Sequence, residues 1–163
     1  MTFEDFPLPD FLQDDILYKG WEVPTPIQQI VIPKALEGAD ILGGAPTGTG
    51  KSAAFLIPII SRLALKRKDG IRALILEPSR ELAAQVCQDA KDLTDGSDIT
   101  CGSVIGGAGR DAQLDEPRNI TAATPGRLLE FLRKDKIDTS SIEILVIDEA
   151  DRMLDMGFRD DVA

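Results

Sequence analysis

Between the apolar run Asp40 to Gly44 and a helical apolar stretch after Lys51 lies the segment Ala45, Pro46, Thr47, Gly48, Thr49, Gly50, Lys51, Ser52. A strand has to end there, the backbone has to turn through glycines, and a helix has to start at once. The spacing AxxxxGKS departs from the phosphate-loop pattern GxxxxGK[ST] only at its first residue. Gly48 and Gly50 allow the backbone to aim N–H groups at phosphate oxygens, and the following helix presents its positive end. Lys51 is placed to reach the β- and γ-phosphates of a nucleotide, and Ser52 to offer a hydroxyl to Mg²⁺. The competing reading is a Gly/Thr turn carrying an exposed lysine.

The rest of the chain repeats this alternation. A helix is expected over Asp10 to Lys19, with Phe11, Leu12, Ile16 and Leu17 sharing an apolar face, and Gly20 ends it. Pro24, Thr25 and Pro26 lead stiffly into a second helix, Ile27 to Leu36. Strand candidates at Asp40 to Gly44, Ala73 to Glu77, Thr100 to Ile105, Ile120 to Ala123 and Ile144 to Asp148 interleave with helices after Lys51, at Glu81 to Leu93 and at Gly126 to Lys134. Pro58 should kink or shorten the first of these. Runs such as Leu74, Ile75, Leu76 and Leu145, Val146, Ile147 suit strands covered on both faces. The expected fold is α/β, a P-loop domain with a mainly parallel sheet flanked by helices.

With 163 residues, 43% of them hydrophobic, the chain is long enough for one buried core and too short for two ordinary domains. Cys87 and Cys101 lack CxxC spacing, and histidine is absent, which removes the usual partners of a zinc site. Two reduced thiols and no signal-like or membrane-length apolar run lead us to expect a soluble cytoplasmic protein without a membrane partner. The formal net charge of -10 argues against broad electrostatic capture of nucleic acid and leaves a local basic track as the alternative.

Ile144 to Ile147 runs into Asp148, Glu149, Ala150, Asp151, acidic residues at the carboxyl end of a strand, where open α/β sheets bind ligands. Asp148 is positioned to hold magnesium, which prefers one or two carboxylates and several retained waters. Glu149 can orient or deprotonate an attacking water. An acidic helix start complementing the macrodipole is the alternative.

Those four letters also spell the signature of the DEAD-box RNA helicases, and further segments resemble that family in order. Gly20 to Gln28 resembles its Q motif, with Phe3 as the upstream aromatic. Pro78, Ser79, Arg80, Glu81, Leu82, Ala83 resembles PTRELA, with Ser79 replacing the usual threonine. Gly106 and Gly107 match its GG element, and Thr124, Pro125, Gly126, Arg127 its TPGR element. The resemblance spans Phe3 to Asp151. It implies a RecA-like fold that binds ATP or ADP with Mg²⁺ and holds RNA by its sugar-phosphate backbone with little sequence specificity. Gln28 would then read the adenine edge, Phe3 would pack at or near the ring, and Thr25 would support the phosphate loop. The PTRELA, GG and TPGR elements would touch RNA, and Asp151 would couple to a second domain. Read without the family, Ser79 and Thr124 are helix N-caps, Pro125 a first helical residue and the glycines a turn. Arg80 and Arg127 are the strongest phosphate candidates, with ion pairs to Glu81 or Glu130 as the competing use.

The expected organisation is a Q-motif helical segment, 1–36, followed by the first RecA-like helicase domain, 37–163, cut before the family's SAT motif. The family continues with a second RecA-like domain bearing arginine fingers, and ribosomal or ribonucleoprotein partners are in keeping with it. Two other classes compete: a DNA motor sharing the phosphate loop and acidic pair, and a non-enzymatic clamp acting through its acidic surface. Gln28 and the full acidic tetrad weigh against the first; retention of Lys51, Asp148 and Glu149 weighs against the second.

Overall fold

In the computed structural model, the described residues are 1–45, 50–105 and 118–151. The candidates Pro46, Thr47, Gly48, Thr49, Gly106 and Gly107 lie outside them. Contacts divide the chain into two units, residues 1–67 with 89–99, and residues 68–88 with 100–163.

The first unit opens with a short 3-10 turn, Phe3–Asp5, followed by α1 (Asp10–Tyr18), α2 (Pro26–Leu36) and α3 (Lys51–Ala64). Thr25 precedes α2, and Pro26 takes the first helical position, where its missing N–H costs nothing. Leu12, Ile16, Ile32, Leu56, Ile57, Ile60 and Leu63 form the fully buried interior of this unit. Leu17, expected on the buried face of α1, is 51% exposed. It follows Ile16, whose direction faces the core, by about 100° around the helix. Pro58 neither ends nor shortens α3, which runs through it to Ala64.

The second unit holds a sheet of four parallel strands, β1 (Ala73–Leu76), β2 (Cys101–Val104), β3 (Ile120–Ala123) and β4 (Ile144–Ile147), in the order β2-β3-β1-β4. Helix α4 (Arg80–Thr94) follows β1, and α5 (Pro125–Arg133) follows β3. One face of the sheet, Leu74, Leu76, Val104 and Ala123, packs on Leu128 and Phe131 of α5. Residues of the other face, Ala73, Ile75, Ile120 and Ala122, are equally buried, so β1 and β3 are covered on both sides as their apolar runs imply.

Two strand expectations are corrected. Asp40 to Gly44 is not a strand: its residues lie outside regular structure, with Leu42 fully exposed. A strand needs a neighbour for its N–H and C=O groups, and no described residue pairs with this run. β4 is not covered on both faces either; Leu145 is 56% and Ile147 36% exposed. It stands at the end of the described sheet and pairs only with β1 there. Cys87 and Cys101 are buried and form no disulfide among the described residues. No helix among those residues is long and apolar enough to cross a membrane.

Candidate functional site

In the first unit, Gln28 is 3% exposed and meets two of the candidate residues, Thr25 and Gly50. Its Oε1 accepts from the backbone N–H of Thr25 at 2.9 Å, and its Nε2 donates to the carbonyl of Gly50 at 3.0 Å. One amide side chain therefore ties the start of α2 to Gly50, the residue just before α3. Gly50 has φ 80° and ψ 22°, the left-handed region where a side chain is costly. A Cβ there would also lie 2.5 Å from Gln28 Nε2 and 3.0 Å from Thr25 Oγ1. Lys51 opens α3, and it and Ser52 are half-buried, as is Ala45.

Phe3 is 3% exposed. Its ring stacks on Trp21 with centroids 6.3 Å apart and meets Phe6 edge-on at 6.1 Å. Gln13 Nε2 donates to the carbonyls of Phe3 and Phe6, fixing the opening turn, and Lys19 Nζ sits 5.0 Å over the Trp21 ring. Trp21 is the residue that sequence reasoning quoted without giving it a role; its aromatic partner lies eighteen positions upstream, so no local spacing reveals the stack.

In the second unit, the ladder continues one residue past the strands. Glu77 N–H donates to Ala123 O, Thr124 N–H to Val104 O, and Asp148 N–H to Leu76 O. Three of the quoted motifs thus begin at one end of the sheet, its carboxyl end. There Pro78, Ser79, Arg80 and Glu81 face Thr124, Arg127 and Glu130 across an open groove of about 490 Å³. The PTRELA-like and TPGR-like segments, some forty residues apart in the chain, therefore line a single surface.

The capping alternatives separate here. Ser79 Oγ accepts from the Leu82 N–H at 3.2 Å and caps α4. Thr124 stands at the N-cap of α5 without a side-chain capping bond, and Pro125 takes the first helical position. Gly126 is exposed. Arg127 Nη1 pairs with Glu130 Oε2 at 2.8 Å, the competing partner expected from sequence, while its Nε donates to Ile105 O at 3.5 Å. Its guanidinium also lies 5.6 Å from the Phe131 ring centre. Sequence reasoning missed Phe131, although a cation and an aromatic ring four apart on a helix are neighbours.

Asp148 and Glu149 are half-buried at the end of β4, and Asp151 is exposed. Glu149 has φ 52°, unusual for a non-glycine residue. Glu77, which no motif reading singled out as a site residue, is a fully buried carboxylate at the end of β1. Among the described residues no three His, Cys, Asp or Glu side chains gather as a metal cage.

A sheet of four parallel strands flanked by helices, with the PTRELA-like, TPGR-like and acidic segments beginning at its carboxyl end, defines a RecA-like domain of the helicase class. Residues 25–163 match the DEAD/DEAH box helicase family, and the chain belongs to it. It is 42% identical over 167 residues to the ATP-dependent RNA helicase SrmB of Escherichia coli, covering 99% of this chain and 38% of that protein. It is 44% identical over 161 residues to the ATP-dependent RNA helicase dbp10 of Schizosaccharomyces pombe, covering 96% of this chain and 19% of that protein. The crystal structure of the RNA helicase Prp28 from Chaetomium thermophilum bound to ADP is similar at a TM-score of 0.92 and 38% identity, covering 99% of this chain and 41% of that one. The chain thus spans less than half the length of these relatives.

Proposed function

We propose that this chain is the ATP-binding and RNA-backbone-binding part of an ATP-dependent RNA helicase that locally unwinds or remodels RNA in the intact protein. One observation carries the reading: the PTRELA-like, TPGR-like and acidic segments all begin at the carboxyl end of one parallel sheet, where such folds hold ligands.

In this reading Ala45 to Ser52 cradles the phosphates, with Lys51 on the β- and γ-phosphates. Gln28 and Phe3 select adenine, and Thr25 braces the loop. Asp148 and Ser52 would hold Mg²⁺, which would supply charge neutralisation to the phosphates. Glu149 orients or deprotonates the attacking water, and Asp151 couples this part to a second RecA-like domain. Pro78, Ser79, Arg80, Gly106, Gly107, Thr124, Pro125, Gly126 and Arg127 contact the sugar-phosphate backbone, which positions a strand without reading its sequence. Residues 1–36 act as a Q-motif segment ahead of a helicase core at 37–163. Two buried cysteines without a disulfide are in keeping with a cytoplasmic protein.

The 163 residues alone are expected to bind nucleotide weakly, turn over little ATP and unwind nothing, because loss of an arginine finger costs roughly 10³ to 10⁵ in rate. The test is titration with a fluorescent ADP analogue and Mg²⁺, with unlabelled ADP and GDP as competitors. Saturable binding that prefers ADP, needs Lys51 and weakens in Gln28→Ala supports the reading. Binding indifferent to Lys51→Ala overturns it, whereas robust RNA-stimulated turnover by these residues alone overturns the expectation of low turnover.

A further inference from the structure

The groove of the second unit contains an acid as well as its arginines. Glu130 lines it together with Arg80, Arg127 and Thr124. Its Oε2 accepts from Arg127 Nη1 at 2.8 Å, and its Oε1 from Lys134 Nζ at 3.0 Å. The Arg127 side chain is 11% exposed and that of Glu130 28%, so this pair is partly withdrawn from water and poorly screened by salt. Lys134, at 47%, is a more exposed and weaker partner.

A guanidinium offers five N–H donors in a fixed fork. On Arg127, Nε is already engaged by the Ile105 carbonyl and Nη1 by a carboxylate. A phosphate arriving at the groove meets the remaining donors with an anion held beside them. We infer that Glu130 is an affinity-limiting residue of this groove: its carboxylate is the resident counterion of Arg127, and an RNA phosphate has to compete with it. The inference rests on the RNA reading proposed above.

Two consequences separate this role from simple bracing. Nucleic acid gains affinity when protein cations replace the ions condensed on its phosphates. An arginine whose charge is already answered by a neighbouring carboxylate contributes less of that gain, and the carboxylate repels the phosphate as well. Because the chain as a whole carries -10, long-range attraction does not mask this local balance. A carboxylate that merely steadied Arg127 would act in the opposite sense, and its loss would weaken the grip.

The experiment uses the intact protein with a fluorescein-labelled oligouridylate, Mg²⁺ and a non-hydrolysable ATP analogue, following anisotropy across a salt series. Glu130→Gln keeps the shape and an acceptor for Nη1 while removing the charge. It is expected to bind RNA about fivefold more tightly at low salt and to steepen the salt dependence by about 0.7 in log–log slope. Glu130→Ala should shift in the same direction, and thermal melts establish that each variant is folded. In an Arg127→Ala background, Glu130→Gln should gain clearly less than it does beside Arg127, leaving only the relief of direct repulsion. Arg127→Ala alone tests the underlying site: if it leaves RNA binding unchanged, the groove is not the RNA surface. If it weakens binding while Glu130→Gln weakens binding too or leaves it unchanged, the site stands and the counterion role falls.

Discussion

A single glutamine ties the start of α2 to the turn that leads into α3. Gln28 bridges Thr25 N–H and Gly50 O from a position almost closed to solvent, so shortening it takes the partner from Thr25 N–H and leaves Gly50 O with the Ala54 N–H alone. Gln28→Ala is expected to cost about 2 kcal/mol in urea unfolding as well as to weaken nucleotide binding. Gly50→Ala should cost about 3 kcal/mol, because it combines a left-handed backbone with a clash on that same amide. If Gly50→Ala unfolds at the same urea concentration as the parent chain, the tie between α2 and α3 is not a constraint on this turn. The same scale explains why Ser79 and Thr124, alike in sequence, differ in the structure. Both line the groove, but the Ser79 hydroxyl caps α4, whereas that of Thr124 does not cap α5.

At the scale of elements, three strands are stapled at their amino ends by Asn119. Its Nδ2 donates to the carbonyls of Lys68 and Gly70, its Oδ1 accepts from Thr100 N–H, and its own N–H donates to Thr100 Oγ1. Asn119→Ala should therefore destabilise the sheet by about 3 kcal/mol. Chemical denaturation checks this, and a loss under 1 kcal/mol would mean that water replaces the staple with little penalty. Beside it, Arg72, nearly buried, pairs with Glu143 at 2.7 Å and joins the entry to β1 with the residue before β4. Neither device was visible in the sequence, because both join residues 19 to 71 positions apart. What was visible obeys local rules. β3, α2 and α5 were legible from apolar runs and from prolines at helix starts, and Arg127 with Glu130 from its i, i+3 spacing. Asp40 to Gly44 misled for the complementary reason: an apolar run states that it wants a neighbour and does not supply one. Leu145 and Ile147 misled in the same way, since a central and an end strand can carry the same letters.

At the scale of the whole molecule, charge and edges set behaviour in solution. The exposed Leu145 and Ile147 on the end strand of the described sheet favour association, while the net charge of -10 opposes it. These 163 residues should therefore self-associate more as salt rises, and Leu145→Lys should suppress it. Size-exclusion chromatography that shows a monomer at every salt and protein concentration would remove β4 as a contact surface. Global stability and chemistry are also expected to diverge at Glu149, whose backbone sits at φ 52°. Asparagine tolerates that conformation better than glutamate, so Glu149→Asn should raise stability by about 0.5 kcal/mol while lowering ATP turnover in the intact protein. Selection for hardiness alone would then push this position away from glutamate, which makes it one to shield from change when the chain is engineered for heat resistance.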